Sequence, residues 1–257
     1  TAANNNAISI GTKTKSAGDN AIGIGAYAES TAARATAVGV LSQANGAGSF
    51  AGGASAHAVG ANSVAIGGAQ DGTLSNKAGT AATSKQQGDI AIGTGAIADG
   101  VDRPNGASNT ADNTAGTAAA VGAKANATGI AASALGERAN ATANGATAVG
   151  SKANASGAAS AALGRAAEAS GESATALGSG ARATAKYSLA GAPDSEASGV
   201  NSVAIGAHSR ANINDSVALG ADSETGAFVG TNNATVGTLT YEGFAGNVSA
   251  LNGNAGS

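Results

Sequence analysis

The sequence predicts an all-β chain: a single-stranded parallel β-roll of about fourteen coils, each of fourteen residues. Three observations predict it. A glycine register advances in steps of fourteen, a five-residue alternation of apolar and small residues precedes each of those glycines, and a second alternating run follows. The register runs through Gly11, Gly25, Gly39, Gly53 and Gly67, then Gly93, then Gly122, Gly136, Gly150, Gly164 and Gly178. It returns at Gly206 and Gly220, after Ala192 takes one glycine's place.

Composition makes a repeat necessary. A chain of 257 residues with 41 glycines, no cysteine, methionine or tryptophan, three tyrosines and three phenylalanines lacks the bulk of an ordinary globular core. The net charge of -3 is too small to hold the chain unfolded, and sparse basic charge offers no nucleic-acid surface. Absence of cysteine removes disulfides and thiolate metal sites. No apolar stretch approaches the roughly 20 residues of a membrane helix, so any membrane anchor is expected outside this segment.

The first strand of each coil is seen in Ser63-Val64-Ala65-Ile66-Gly67 and Ser202-Val203-Ala204-Ile205-Gly206. Its valines and isoleucines are read as facing the interior. The second strand is seen in Gly122-Ala123-Lys124-Ala125-Asn126-Ala127, with alanines inward and Lys and Asn outward. A further glycine, such as Gly129, Gly157, Gly171 or Gly199, turns the chain back. Stacked coils pair each strand with its equivalent one repeat later, giving a rod on the order of 65 Å long at about 4.8 Å per coil.

Two longer steps, Gly67 to Gly93 and Gly93 to Gly122, predict loop insertions at about 69–88 and 99–117 within a roll spanning 1–226. Residues 227–257, which include Thr238-Leu239-Thr240-Tyr241, are expected to form a cap or hairpin leading toward a neck.

With Val and Ile assigned inward, the first strand's small residues fall outward. The position two before the register glycine reads Ala37, Ala65, Ala91, Ala120, Ala134, Ala148, Ala162, Ala176, Ala204 and Ala218, an uncharged stripe. Four before the glycine only Asp89 departs from Ala or Ser. This stripe is predicted to be a lengthwise interface between copies of the chain. The candidate ligand-facing surface is the outward side of the second strands: Lys13, Lys15, Tyr27, Lys124, Arg138, Lys152, Arg182, His208 and Arg210, with Glu29, Asn126, Asn140, Asn154, Asp222 and Glu224 beside them.

No clustered acids, paired histidines or nucleophile motif rises above background, so no enzyme, catalytic residue, cofactor or metal site is expected. His57 and His208 are read as exposed outward residues of second strands, and Asp19, Asp71, Asp99, Asp102 and Asp112 as turn or loop acids. The glycines recur as turns and do not spell a phosphate loop. Regular Thr-x-Thr ladders, which an ice-binding face would need, occur only at Thr12-Lys13-Thr14 and Thr238-Leu239-Thr240.

The SVAIG-type strand followed by an alanine-alternating strand, repeated at fourteen over roughly Ala7 to Gly226, resembles the head of the YadA-like trimeric autotransporter adhesins. The resemblance implies a left-handed parallel β-roll, three chains around a threefold axis, and display on the outer membrane of a Gram-negative bacterium. It also implies non-enzymatic attachment to host extracellular matrix proteins or cell-surface receptors. A structural spacer projecting another binding domain is the alternative. Neither handedness nor the number three follows from the spacing.

Overall fold

The computed structural model describes residues 2, 4–69, 81–100, 117–226, 233–236 and 239–242. Two parallel sheets run the length of the roll, one of 14 strands and one of 13, and every strand neighbours its equivalent from the coil before and after. In the first sheet Ile8, Ser9 and Ile10 stand opposite Ile22, Gly23 and Ile24. In the second, Asn126 and Ala127 stand opposite Asn140 and Ala141. Identical register from coil to coil gives every repeat position a continuous row along the axis.

The strands are only two or three residues long because a turn follows at once on each side. Glycine holds the register position in every described coil but that of Ala192, for two reasons. Gly25 has φ +129°, which L side chains rarely adopt, and a Cβ there would lie 2.5 Å from the carbonyl oxygen of Gly39 in the next coil. At the opposite turn a Cβ on Gly171 would meet the carbonyl oxygen of Ala185 at 1.9 Å. Two residues past each register glycine the chain passes through the left-handed region, usually on a side chain: Lys13, Tyr27, Lys124, Arg138, Lys152, His208 and Asp222 have φ between 54° and 60°. The turn hydrogen bonds to the neighbouring coils offset part of that cost, as in Lys124 N–H to the Thr94 carbonyl at 2.9 Å.

The interior reverses the expected faces. Ala37, Ala65, Ala91, Ala120, Ala134, Ala148, Ala162, Ala176, Ala204 and Ala218, expected outward, are at most 3% exposed within a single chain. They face inward against Ala44, Ala58, Ala127 and Ala141 of the second sheet, with Ser30, Ser63 and Ser84 beside them. The valines and isoleucines, expected inside, point out: Ile10, Ile24, Ile66, Ile92, Leu135, Leu177, Ile205 and Leu219 are 36–72% exposed. The physical reason is width. Two strands joined by tight turns leave a slot filled mostly by methyl and hydroxymethyl groups, with Thr14 and Asp89 among its few longer occupants.

Residues 81–88, expected in the first insertion, lie in the roll: Thr83–Ser84 pairs with His57–Ala58 on one side and Ile97–Ala98 on the other. Residues 70–80 and 101–116, where the rest of the expected insertions fall, lie outside the described residues. Past the roll, Asn233–Val236 and Leu239–Glu242 form an antiparallel pair.

Candidate functional site

Four rows of side chains lead outward. On the first sheet the row just before the register glycine carries Ile10, Ile24, Val38, Ile66, Ile92, Val121, Leu135, Val149, Leu163, Leu177, Ile205 and Leu219, interrupted by Gly52 and Gly191. The companion row two residues earlier carries Ile8, Ile22, Phe50, Val64, Ile90, Leu189, Val203 and Val217, with Thr36, Ala119, Ser133, Thr147, Ala161 and Thr175 in the other coils. Where the first row has glycine, the second has Phe50 or Leu189. The result is an uncharged, largely aliphatic strip along the whole rod, the kind of patch a monomer rarely leaves open.

On the second sheet the outward row reads Lys15, Glu29, Gln43, His57, Thr83, Ile97, Asn126, Asn140, Asn154, Glu168, Arg182, Glu196 and Arg210. Its central members form an amide ladder, with Asn126 Nδ2 donating to Asn140 Oδ1 and Asn140 Nδ2 to Asn154 Oδ1, each at 2.8 Å. Its later members alternate in charge, and Arg182 Nε lies 3.3 Å from Glu168 Oε2.

The fourth row is the left-handed turn position. Of the candidate ligand-facing residues, Lys15, Arg182 and Arg210 occupy the strand row, whereas Lys13, Tyr27, Lys124, Arg138, Lys152 and His208 occupy this turn row. Neighbours along it touch: Lys13 Nζ lies 5.3 Å from the Tyr27 ring centre, and His208 Nδ1 lies 3.5 Å from Asp222 Oδ1. His208 is thus an exposed turn residue and not a strand residue. His57 does occupy the strand row but is only partly exposed. Burial lowers its pKa below the ordinary 6.5, and Nε2 has no hydrogen-bond partner among the described residues.

The acids include a centre that sequence reasoning missed. Asp89, in a row otherwise held by Ala and Ser, is fully buried. Its carboxylate accepts from the backbone N–H groups of Gln86 and Ala118 at 2.8 Å and of Gly100 at 3.3 Å. Gly100 and Ala118 flank the longer step of the repeat, so one carboxylate ties both ends of that departure to its own coil. Burial raises the Asp89 pKa, the three backbone bonds oppose that rise, and the nearby Asp99 carboxylate adds to it. Asp99, expected as a turn or loop acid, follows a strand end and is also buried, where it pairs with Lys85 Nζ at 2.8 Å. The one signal in the sequence was Asp89's place in an Ala/Ser row.

No group of three or more metal-ligating side chains occurs among the described residues. An apolar hollow lined by Ala26, Tyr27, Val40 and Leu41 opens beside the turn row.

The YadA head domain repeat matches at residues 30–56, 53–69, 127–153, 155–181, 169–190 and 197–223, together just over half of the chain. Among solved structures, the collagen-binding domain of the Yersinia adhesin YadA is 20% identical, covering 95% of this chain and 94% of that one with a TM-score of 0.22. A comparison with curated proteins finds no match. The matched segments include inward alanines such as Ala37 and Ala148, outward aliphatics such as Val38 and Val149, and turn glycines such as Gly39 and Gly171: the chain belongs to the YadA head-repeat family of trimeric autotransporter adhesins.

Proposed function

We propose that the chain is the adhesive head of a homotrimeric surface protein and attaches a Gram-negative bacterium to host extracellular matrix or host cells. Its family supports the coarser reading, an extracellular adhesin-like role without catalysis. The observation that carries the proposal is the outward aliphatic strip. Inside each coil about four methyl-sized groups are buried, worth on the order of 3 kcal/mol at about 0.8 kcal/mol each. Burying an outward aliphatic side chain completely adds about 1.5–3 kcal/mol, and these are already partly covered, so assembly adds apolar burial comparable with that inside a coil.

A second and third copy of the chain are the covers this strip suits, since it is straight, uncharged and as long as the rod. The corrected interface residues are therefore Ile24, Val38, Ile66, Val149, Leu163, Leu177 and their equivalents, with the alanines behind them setting the slot. The number three comes from the family. Assembly turns the second sheets and turn rows outward, so weak contacts repeated three times add up to firm attachment.

Binding of the purified assembly to immobilised collagen, fibronectin and laminin and to epithelial cells tests this reading. Saturable binding at micromolar concentration or below supports it, and none on any surface overturns it. One observation favours the spacer alternative: the Glu168, Arg182, Glu196, Arg210 row is internally complementary in charge. If an unrelated rod substituted for this segment leaves attachment intact, the spacer reading is correct.

A further inference from the structure

We infer that the coils from Ala119 to Ala166 carry a recognition strip for a linear sulfated or uronic polysaccharide, a proposal that rests on the second sheet and its turn row facing away from the assembly. Residues 117–166 hold Lys124, Arg138, Lys152 and Arg165 against the single carboxylate Glu137, in a chain whose overall net charge is -3. This is the one long stretch where the charge balance turns clearly positive.

Geometry makes those cations a row. Lys124, Arg138 and Lys152 occupy the same left-handed turn position of three consecutive coils, with φ of 57°, 55° and 60°. They therefore leave the backbone in the same direction at the coil repeat of about 4.8 Å. Among the described residues only Arg138 has an acidic partner, Glu137 at 3.2 Å, and that pair is exposed. Two residues further on, the Asn126, Asn140 and Asn154 amides are locked edge to edge by their two 2.8 Å bonds. Each amide has two N–H groups and two carbonyl lone pairs, so the ladder leaves donors and acceptors free along its length.

A strip pairing regularly spaced cations with locked neutral amides asks for a ligand with the same two chemistries at short regular intervals. Sulfate or carboxylate groups meet the Lys and Arg side chains, and sugar hydroxyls meet the amides. The spacing is of the order of one sugar residue in an extended polysaccharide. Residues 117–166 contain no aromatic side chain, which removes the stacking platform on which single-stranded nucleic acid depends. The described residues include no helix to enter a duplex groove.

The test uses the full chain as assembled, on immobilised heparin, with salt varied between about 50 and 200 mM. The variant K124Q/R138Q/K152Q is compared with the equal-charge control K13Q/K15Q/R210Q. Heparin affinity is expected to fall about tenfold or more in the first, with the slope of log affinity against log salt shallower by about 2, and to change less than about twofold in the control. Poly-glutamate and single-stranded DNA are expected to compete poorly, and Asn140→Ala is expected to narrow the preference for heparin over poly-glutamate. No heparin binding at low salt, equal losses in both triple variants, or equal competition by poly-glutamate or DNA overturns the proposal. Attachment to matrix or cells without heparin binding overturns it alone. Heparin binding without attachment to any such surface supports it and overturns the adhesion reading.

Discussion

The ring of Phe50 fills the space that a side chain at residue 52 would need: a Cβ on Gly52 would lie 2.8 Å from Phe50 Cε1. Both residues point out of the same strand, so one coil of the aliphatic strip is built from a large and a missing side chain where its neighbours use two of middle size. At the other break in the row, a Cβ on Gly191 would lie 3.3 Å from Ile205 Cγ1 of the next coil. Gly52→Val, which restores the row's consensus, is therefore expected to destabilise the assembly by about 1–3 kcal/mol through overpacking. The pair F50T/G52V, which copies the Thr36 and Val38 coil, is expected to recover most of that loss. Thermal unfolding of the two variants measures it.

Asp89 gathers three backbone donors into one buried carboxylate. Asp89→Ala leaves the N–H groups of Gln86, Gly100 and Ala118 without their acceptor, at about 1–3 kcal/mol for each group that stays dry. Amide exchange should accelerate at Gly100 and Ala118 and remain slow at Ala146 and Ala174. The raised pKa also fixes a sign. The native state holds the Asp89 proton more tightly than the unfolded chain, so stability from this group falls as pH rises from the ordinary 3.8 through the raised value. The stability difference between wild type and Asp89→Ser should shift in favour of wild type as the solution is acidified from neutral across that window, measured by denaturant unfolding.

His57 carries the opposite sign. Its lowered pKa means that the native state releases the proton more readily than the unfolded chain. Stability is therefore lost as pH falls from 6.5 through the lowered value. His57→Gln, which repeats the neighbouring Gln43 of the same row, should remove this part of the acid sensitivity. Unfolding midpoints at neutral and mildly acidic pH compare the two chains.

The alternating charges at Glu168, Arg182 and Glu196 add little stability. The Glu168 and Arg182 side chains are 37% and 54% exposed, and such pairs contribute about 0–1 kcal/mol. Arg182→Glu places three carboxylates in successive coils. A loss of only some tenths of a kcal/mol is expected, shrinking as salt is raised, in unfolding followed at low and high ionic strength.

The period, the parallel stacking and the row structure were legible because glycine recurs where the chain takes a positive φ and a Cβ would strike the next coil, as at Gly25. The facing of the rows was not. Val64 and Ile66 read as core because bulk normally goes inside, yet the slot between the sheets is filled mostly by small residues such as Ala65 and Ala58. The turn row was hidden for a related reason. Lys124 and Tyr27 look like strand residues in an alternating run, and only the structure shows that the chain tolerates positive φ there without glycine. Asp89 stood out as an exception, but its partners at Gly100 and Ala118 come from positions that the irregular step displaces in sequence.

The mass of the assembly in solution, before and after charging the aliphatic strip, tests the corrected faces most directly. Light scattering on the unaltered chain should give three times 23.6 kDa. V149E/L163E/L177E should give 23.6 kDa with the β circular-dichroism signal retained, while A148S/A162S, which alters only the interior, should stay trimeric. A monomeric unaltered chain, or a charged variant that still assembles, would contradict the outward aliphatics as the interface.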